Sequence, residues 1–426
     1  MQIKEKMTLF SKAILTLIDK KSWLVFLIIV CIGLYLRFYL IEQNFEFGWD
    51  QARDSWVARE VLQGDFPLIG PRTGVGNFRI GPVYFYLLAP FYYFTGLDPM
   101  ATNYFNILSN IINFLLIFYV TKKLSNNYTA LFVIALYSLN KYIIGINQIP
   151  WNVTVMPGIA ALILYGIYQI YEEKYQWFFV LALLCGFYFQ LHFTAIFIPI
   201  IVMLSLIFIK NKIKALKYAL LSLPLFLVWF VPNLVYESQH SSMNYYRMRE
   251  FFETYYIGLH FRFMLHRMHD AFIMFDLVLN YPKTALLTFG IPLAFLVLTF
   301  YEKERKQKIL GYIISLWFII PLLCITVYGG PLSEYYFLYS LPMALYVIAY
   351  IQRKAIQGRF IYLLPLFAIF WTMYAYNNTK ELWVKTNRGG LASQKEETRK
   401  LIERNANLKY EEGEIRNYLY TIWTEK

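Results

Sequence analysis

Asp50 has the surroundings of a general base. It stands in 45–82, FEFGWDQARDSWVAREVLQGDFPLIGPRTGVGNFRIGP, where carboxylates, arginines, glycines and prolines first gather in an otherwise apolar chain. A carboxylate between Trp49 and Arg53, just ahead of a helix over 51–63, is placed to take a proton from a hydroxyl. The same position suits a plain helix cap, where the dipole and free N–H groups favour a carboxylate. Asp54 is a weaker version of the same case. Arg53, Arg72 and Arg79 carry guanidinium forks that meet phosphate oxygens at two points. Their alternative use is pairing with Asp54 and Asp65 or with lipid headgroups.

Other polar residues stand apart in apolar surroundings. Asn152, in Pro150-Trp151-Asn152-Val153, offers an amide that hydrogen-bonds a sugar but cannot act as a base, and it also opens an Asn-Val-Thr glycosylation sequon. Gln190 and His192 interrupt a long apolar run. Polar groups at membrane depth line a cavity or pair between helices, and both uses stay open here. Glu334, beside Tyr335 and Tyr336, sits at the start of an apolar run, where the tyrosines suit an interface and the carboxylate suits a sugar contact. His266 and His269 share a helical face, but His-x-x-His without a third ligand predicts no metal site. Cys31, Cys185 and Cys324 each lie inside an apolar run with no metal spacing or disulfide framework, and read as packing residues.

The elements that must carry these residues are membrane helices. Of the 426 residues, 58% are hydrophobic and only 16% charged, too apolar for a dissolved globular protein. The net charge of +13 comes from short basic loops between apolar runs, as the positive-inside rule expects, and not from the basic stripe of a nucleic-acid binder. Lys4, Lys6, Lys12, Lys20 and Lys21 precede a run over 23–41 long enough to span, with no small-residue cleavage site after it, so it reads as an uncleaved first helix. Within the helix over 51–63, Trp56, Val57, Val61 and Leu62 form one apolar face for lying on the membrane. The run over 83–95 is short and holds Pro90. If it stays on the outer leaflet, every later basic loop falls on one side.

The resulting expectation is an all-α, polytopic integral membrane protein of about eleven spans. They lie at about 23–41, 101–120, 128–147, 153–171, two short helices within 177–209, 219–235, 284–301, 309–328, 337–351 and 360–376. The N-terminus is cytoplasmic and the C-terminus extracytoplasmic, in a cell membrane. A transmembrane domain over 1–376 carries an outer loop at 42–100 and a second at 236–283, and a short outer tail covers 377–426. The second loop holds four of the five histidines, with Arg247, Arg249, Arg262 and Arg267.

A carboxylate soon after the first span, an Arg three residues on, a G-x-x-P step and a Tyr-rich amphipathic segment together resemble the GT-C class of membrane glycosyltransferases. The similar groups are the protein O-mannosyltransferases and the lipid A aminoarabinose transferases. Their Asp-Glu-x-x-(Tyr/Phe) pattern stands here as Asp50-Gln51-Ala52-Arg53-Asp54, with an amide where the second acid would be. The step matches Gly64-Asp65-Phe66-Pro67, and a Lys-Pro-Pro-Leu-x-Tyr element is partly matched by Arg79-Ile80-Gly81-Pro82-Val83-Tyr84. The resemblance covers the N-terminal half and fades after the seventh span. It implies transfer of a sugar from a polyprenyl-phosphate donor to an acceptor hydroxyl on a lipid, glycan or protein. Inversion would occur with Asp50 as base, and Arg53, Asp54, Arg72, Arg79, Tyr84, Asn152, Gln190, His192 and Glu334 would contact substrate. No cofactor or metal is implied, and nucleic acid is not a partner. The rivals are a glycan ligase or polymerase using a lipid-linked donor, and a transporter or lipid flippase. A transporter would show inverted repeats, and no internal repeat is visible.

Overall fold

The computed structural model describes residues 2–45, 47–258, 261–280, 284–357, 361–380, 390–404 and 414–424. Twenty-one α-helices follow one another in these segments. They are α1 (Gln2–Lys20), α2 (Ser22–Phe38), α3 (Ile41–Asn44), α4 (Trp49–Leu62), α5 (Val83–Phe94), α6 (Met100–Leu124) and α7 (Asn127–Leu139). Next come α8 (Lys141–Asn147), α9 (Met156–Tyr171), α10 (Trp177–Phe189), α11 (Phe197–Ser205), α12 (Lys212–Leu227), α13 (Val231–Gln239) and α14 (Met243–Tyr255). The last are α15 (Phe261–Leu279), α16 (Ala285–Phe300), α17 (Arg305–Ile325), α18 (Leu341–Gln357), α19 (Leu364–Thr379), α20 (Leu391–Glu403) and α21 (Ile415–Thr424). Among the described residues, β pairing is limited to two isolated bridges, Arg72 with Arg79 and Tyr256 with Tyr328.

This is an all-α, multi-pass membrane protein. Four stretches, Met100–Leu124, Asn152–Tyr171, Lys212–Gln239 and Arg305–Ile325, are each long and apolar enough to cross a bilayer, and up to six spans result if each of two bent pairs counts as one. One bent pair is α7 with α8, at 65°. The remaining apolar helices have 10–17 residues, below the roughly twenty a straight crossing takes. Pattern alone marks apolar runs and does not separate a straight span from a broken or short one. The basic flank at the N-terminus, which the pattern gives no element of its own, forms α1 and packs on α2, α7 and residues 361–363.

The basic loops meet at one end of the bundle. Lys306 pairs with Glu172 at 2.8 Å, Lys210 with Glu173 at 3.3 Å and Lys354 with Glu302 at 2.6 Å. Arg353 donates to Ser125 Oγ, Gln307 to the Leu124 carbonyl, and Asn127 to Asp19. The far end carries α3, α4, α5 and the loops around them. There Lys395 of α20 pairs with Glu42 at 2.9 Å and Asp98 at 2.8 Å. The Tyr418 hydroxyl of α21 donates to the Leu97 carbonyl.

A polar seam supports the break between α7 and α8. Backbone groups freed inside an apolar medium must find partners within the protein. Arg37, fully buried at the end of α2, donates to the carbonyls of Tyr137 at 2.7 Å and of Ser138 and Gly33 at 3.0 Å, and to Asn147 Oδ1 at 3.0 Å. Its guanidinium also lies over the rings of Phe114 and Tyr137. Asn106, Asn110 and Asn113 repeat on one face of α6 at helical spacing and are buried. Asn106 donates to the Asn147 carbonyl, and Asn113 bridges the Thr154 carbonyl and the Gly158 N–H. Asn140 caps α8 through the Ile143 N–H and donates to the carbonyls of Leu277 and Val278.

Candidate functional site

Helix α4 starts earlier than the pattern predicts, so Asp50 lies inside its first turn and not before it. Gly48 holds the cap position, because the Gln51 side chain accepts from the Gly48 N–H at 2.9 Å while donating to the Pro150 carbonyl at 3.0 Å. Asp50 is exposed, and its Oδ1 accepts from Arg53 Nη1 at 2.6 Å. Its second oxygen has no partner among the described residues. Arg53 gives its other two nitrogens, Nη2 at 2.6 Å and Nε at 2.9 Å, to Asp54 Oδ1. Asp54 is buried, and burial, only partly offset by Arg53, pushes its carboxyl up to about 6.

The buried face of α4 is Gln51, Ala52, Asp54, Ser55, Ala58 and Val61, which corrects the apolar face expected from Trp56, Val57, Val61 and Leu62. The helix does not simply float on a membrane. It packs between α5 and α21, with Ser55 Oγ 2.6 Å from the Tyr92 hydroxyl and Trp56 edge-on to Tyr418. Asp54 and Tyr84, both expected at substrate, are enclosed here by the α4–α5 contact. They are therefore withdrawn from direct contact with a ligand.

The chain then makes a short hairpin over 70–80. Gly70 N–H donates to the Ile80 carbonyl at 2.7 Å, Ile80 N–H to Pro71 at 3.2 Å and Thr73 N–H to Phe78 at 2.9 Å. Arg72 and Arg79 are thereby paired across the hairpin. Two glycines are required sterically. Gly76 has φ +90 and lies where a Cβ would strike Phe251, and a Cβ on Gly81 would overlap the Gln190 amide. Asn244 of α14 clamps Arg79 by its backbone, accepting from its N–H at 2.6 Å and donating to its carbonyl at 3.1 Å. Burial, then the charges of Arg53, Arg247 and Arg72, hold the Arg79 guanidinium below its usual value against the pull of Tyr236. Of these four arginines, Arg53 alone has carboxylate partners among the described residues. Arg72 is exposed and donates to the Asn77 side chain.

Behind the hairpin lies a cavity of about 600 Å³. Its wall is mostly apolar, with Phe193, Phe197, Ile200, Phe230, Phe251 and Ile325 among its residues. Its polar residues include Arg79, Gln190, Thr194, Asn233, Glu237 and Asn244, of which Asn233 and Asn244 donate to the hairpin.

Gln190 and His192 do not sit at mid-depth. The segment after α11 returns to the basic end, as the Lys210–Glu173 contact shows. Residues 190–192 are therefore the far turn of a helical hairpin, pressed against Gly81. Gln190 donates to the Trp229 carbonyl, and His192 Nδ1 lies 2.9 Å from Thr194 Oγ1, capping the next turn. Asn152 donates to the Leu191 carbonyl, tying the start of α9 to that turn. Glu334 is exposed at the start of a 3-10 turn over Glu334–Ser340. Tyr335 beside it packs at a tilt on Trp151 and edge-on to Tyr336, and Tyr336 lies 5.1 Å from the His192 ring. Burial, Tyr336 and the charge of Asp50 all push the Tyr335 hydroxyl upward. Of the residues expected at the site, Arg79 and Gln190 line the cavity. Arg53 and Arg72 lie within electrostatic reach of Arg79, Asp50 within reach of Tyr335, and the His192 ring meets Tyr336 of the cavity wall, while Asn152 and Glu334 are not among its lining residues.

His269 faces Asp276 at 3.4 Å and Asp270 at 3.7 Å, and Arg267 pairs with Asp270 while donating to the Gly330 carbonyl. Among the described residues, no three His, Cys, Asp or Glu side chains form a metal-ligand group. His260 lies outside the described residues. Sequence reasoning gives no role to Asn244 or Arg37, and counts Arg247 only as one charge of its segment. A signal exists for Arg37, a lone arginine within an apolar run, but none for Asn244, whose partner is 165 positions away.

No family model and no curated protein sequence matches the chain. Solved structures do. ArnT from Cupriavidus metallidurans bound to undecaprenyl phosphate superposes with a TM-score of 0.53 at 12% identity, covering 94% of this chain and 74% of that one. The apo oligosaccharyltransferase of Archaeoglobus fulgidus superposes with a TM-score of 0.56 at 12% identity, covering 94% of this chain and 60% of that one. The chain shares the fold of these two proteins. AglB of the same archaeon, in complex with an inhibitory peptide and a dolichol-phosphate, gives 0.52 at 12% identity, covering 94% of this chain and 59% of that one. The chain thus spans about three fifths of the archaeal protein's length. At these identities the likeness speaks for the path of the backbone.

Proposed function

We propose that this chain transfers a sugar from a polyprenyl-phosphate donor to an acceptor hydroxyl, with inversion and with Asp50 as general base. The observation that carries the reading is Arg79 lining an apolar cavity with Arg72, Arg247 and Arg53 within its electrostatic reach, Arg53 in turn pairing with a carboxylate that keeps one oxygen free. A prenyl tail fits the aromatic and aliphatic wall. The donor phosphate fits Arg79, Arg72 and Arg247, which are half-buried or exposed and lack carboxylates among the described residues. The likeness to ArnT bound to undecaprenyl phosphate supports the same class of donor.

In the reaction Asp50 takes the acceptor proton as the acceptor oxygen attacks the anomeric carbon from the face opposite the phosphate. The bond from that carbon to the phosphate oxygen breaks, and the phosphate leaves with the electron pair. Its growing charge falls among the arginines, which are oriented before the reaction begins. The acceptor belongs to the class of hydroxyl-bearing lipids, glycans or proteins, and Glu334, Asn152 and Trp151 form the rim it meets. We assign the basic end to the cytoplasm and the site to the outer face of a cell membrane. About eleven crossings follow when the short and bent helices are counted as spans.

The test uses purified protein in lipid nanodiscs with polyprenyl-phosphate sugars. Replacing Asp50 by Asn is expected to lower transfer by about 10²–10⁴-fold. Transfer at near wild-type rate in Asp50→Asn removes Asp50 from the role. Absence of transfer from every lipid-linked sugar, with flux of lipid or solute across liposomes, assigns the chain to transport instead.

A further inference from the structure

Asp54 takes no part in the reaction drawn above, yet it is the most enclosed carboxylate of the site, 1% exposed. Two of the three nitrogens of Arg53 are committed to its Oδ1, at 2.6 and 2.9 Å, which leaves Nη1 alone for Asp50. A guanidinium facing a carboxylate otherwise prefers two parallel hydrogen bonds. Freed from Asp54, the fork would turn and take both oxygens of Asp50. A carboxylate with both oxygens on a cation is a poor proton acceptor.

We propose that Asp54 is a positioning residue that holds Arg53 edge-on, so that Asp50 is oriented by one nitrogen and keeps its second oxygen for the acceptor proton. The role rests on Asp50 being the base. Asp54 stands directly after Arg53, at the place of the aromatic residue in the related pattern, so the device belongs to this chain's own sequence.

The groups that face Asp54 are few. Arg53 and Asp50 lie on its own helix, and Tyr84 and Tyr92 approach from α5. Tyr418 of α21 feels Asp98 and Arg59, and reaches Tyr92. Protonation of Asp54 removes the charge that holds the fork, so the hold weakens as pH falls through about 6.

The experiment labels carboxylates of the full chain with a water-soluble carbodiimide and an amine, reading Asp50 by peptide mass spectrometry against the exposed Asp65. The expected Asp50 to Asp65 ratio falls several-fold in Asp54→Asn and is restored in Asp54→Glu. Transfer by Asp54→Asn is expected to lose about tenfold in kcat with little change in KM, and to lose its acid limb near pH 6. An unchanged labelling ratio in Asp54→Asn overturns the proposal whatever the activity. If that variant does not fold, the wild-type ratio between pH 7.5 and 5 decides. A drop as pH falls through about 6 supports the hold, and a flat profile overturns it. Failure of the wild type to transfer sugar defeats the function proposed above, while the labelling ratio still decides whether Asp54 holds Arg53.

Discussion

Arg37 is fully buried and Arg79 half-buried, and the chain treats them in opposite ways. Arg37 has four neutral acceptors and two aromatic faces around it, so every nitrogen of its fork donates. Arg79 is held by its backbone, while its guanidinium stands among three like charges with no carboxylate partner among the described residues. The first arrangement closes a break in a membrane helix. The second leaves positive potential unspent at a cavity mouth, which is what an anionic ligand uses. A cation drawn wholly or partly from solvent therefore reads as architecture or as a binding group according to whether the protein itself satisfies it.

The contrast can be broken by exchange of outcomes. Arg37→Met should cost about 3–5 kcal/mol, because several buried carbonyls lose their donor at once, read as loss of folded protein in thermal unfolding. If instead that variant is stable and only polyprenyl-phosphate binding fails, the assignment of Arg37 to architecture is wrong.

Asp54 lies between the two cases, a buried carboxylate satisfied on one oxygen only. Its folded pKa is raised from 3.8 to about 6. Its contribution to stability is therefore full below about pH 4 and lost as pH rises through about 6, a change of about 3 kcal/mol. Unfolding followed from pH 4.5 to 7.5 should show this fall in the wild type and not in Asp54→Asn.

Arg79→Gln should leave the melting temperature nearly unchanged and weaken binding of a polyprenyl phosphate by about 10–100-fold, the range of a hydrogen bond to a charged group. A large loss of stability with binding intact would move Arg79 into the class of Arg37. The smallest effect belongs to Asn244→Ala. It removes two hydrogen bonds to the Arg79 backbone, and should weaken the same binding by about fivefold, near 1 kcal/mol.

The local features of this arrangement are legible in the chain, and the partnerships across it are not. The helix of 51–63, the short element of 83–95 and the two short helices of 177–209 follow from apolar runs, prolines and interrupting polar residues, and stand as α4, α5 and the α10–α11 hairpin. Asp50 falls inside the first turn of α4 because Gln51 caps Gly48 and draws Trp49 into the helix, an exchange that residue types alone do not announce. The face of α4 differs from its apolar stripe because a helix packed against protein can bury Asp54 and Ser55, whereas one lying on lipid cannot. Gln190 and His192 look like mid-depth groups because they interrupt a long apolar run, and the pattern does not show that the chain turns back there. The clamp of Asn244 on Arg79 and the seam from Arg37 to Asn147 join residues more than a hundred positions apart. Such pairings leave no periodic trace.

The packing of α21 against α4 also sets a timetable. Helix α4 ends at Leu62, and the ring that packs on its Trp56 and on Tyr92 of α5 arrives only with Tyr418. Lys395 likewise joins Glu42 to Asp98 only after every crossing helix has been made. A chain emerging from the ribosome thus builds the corner around Asp50 first and latches it last. Nascent protein should remain unlatched throughout insertion, and quality control that reads the unlatched corner would act on every chain halted short of α20.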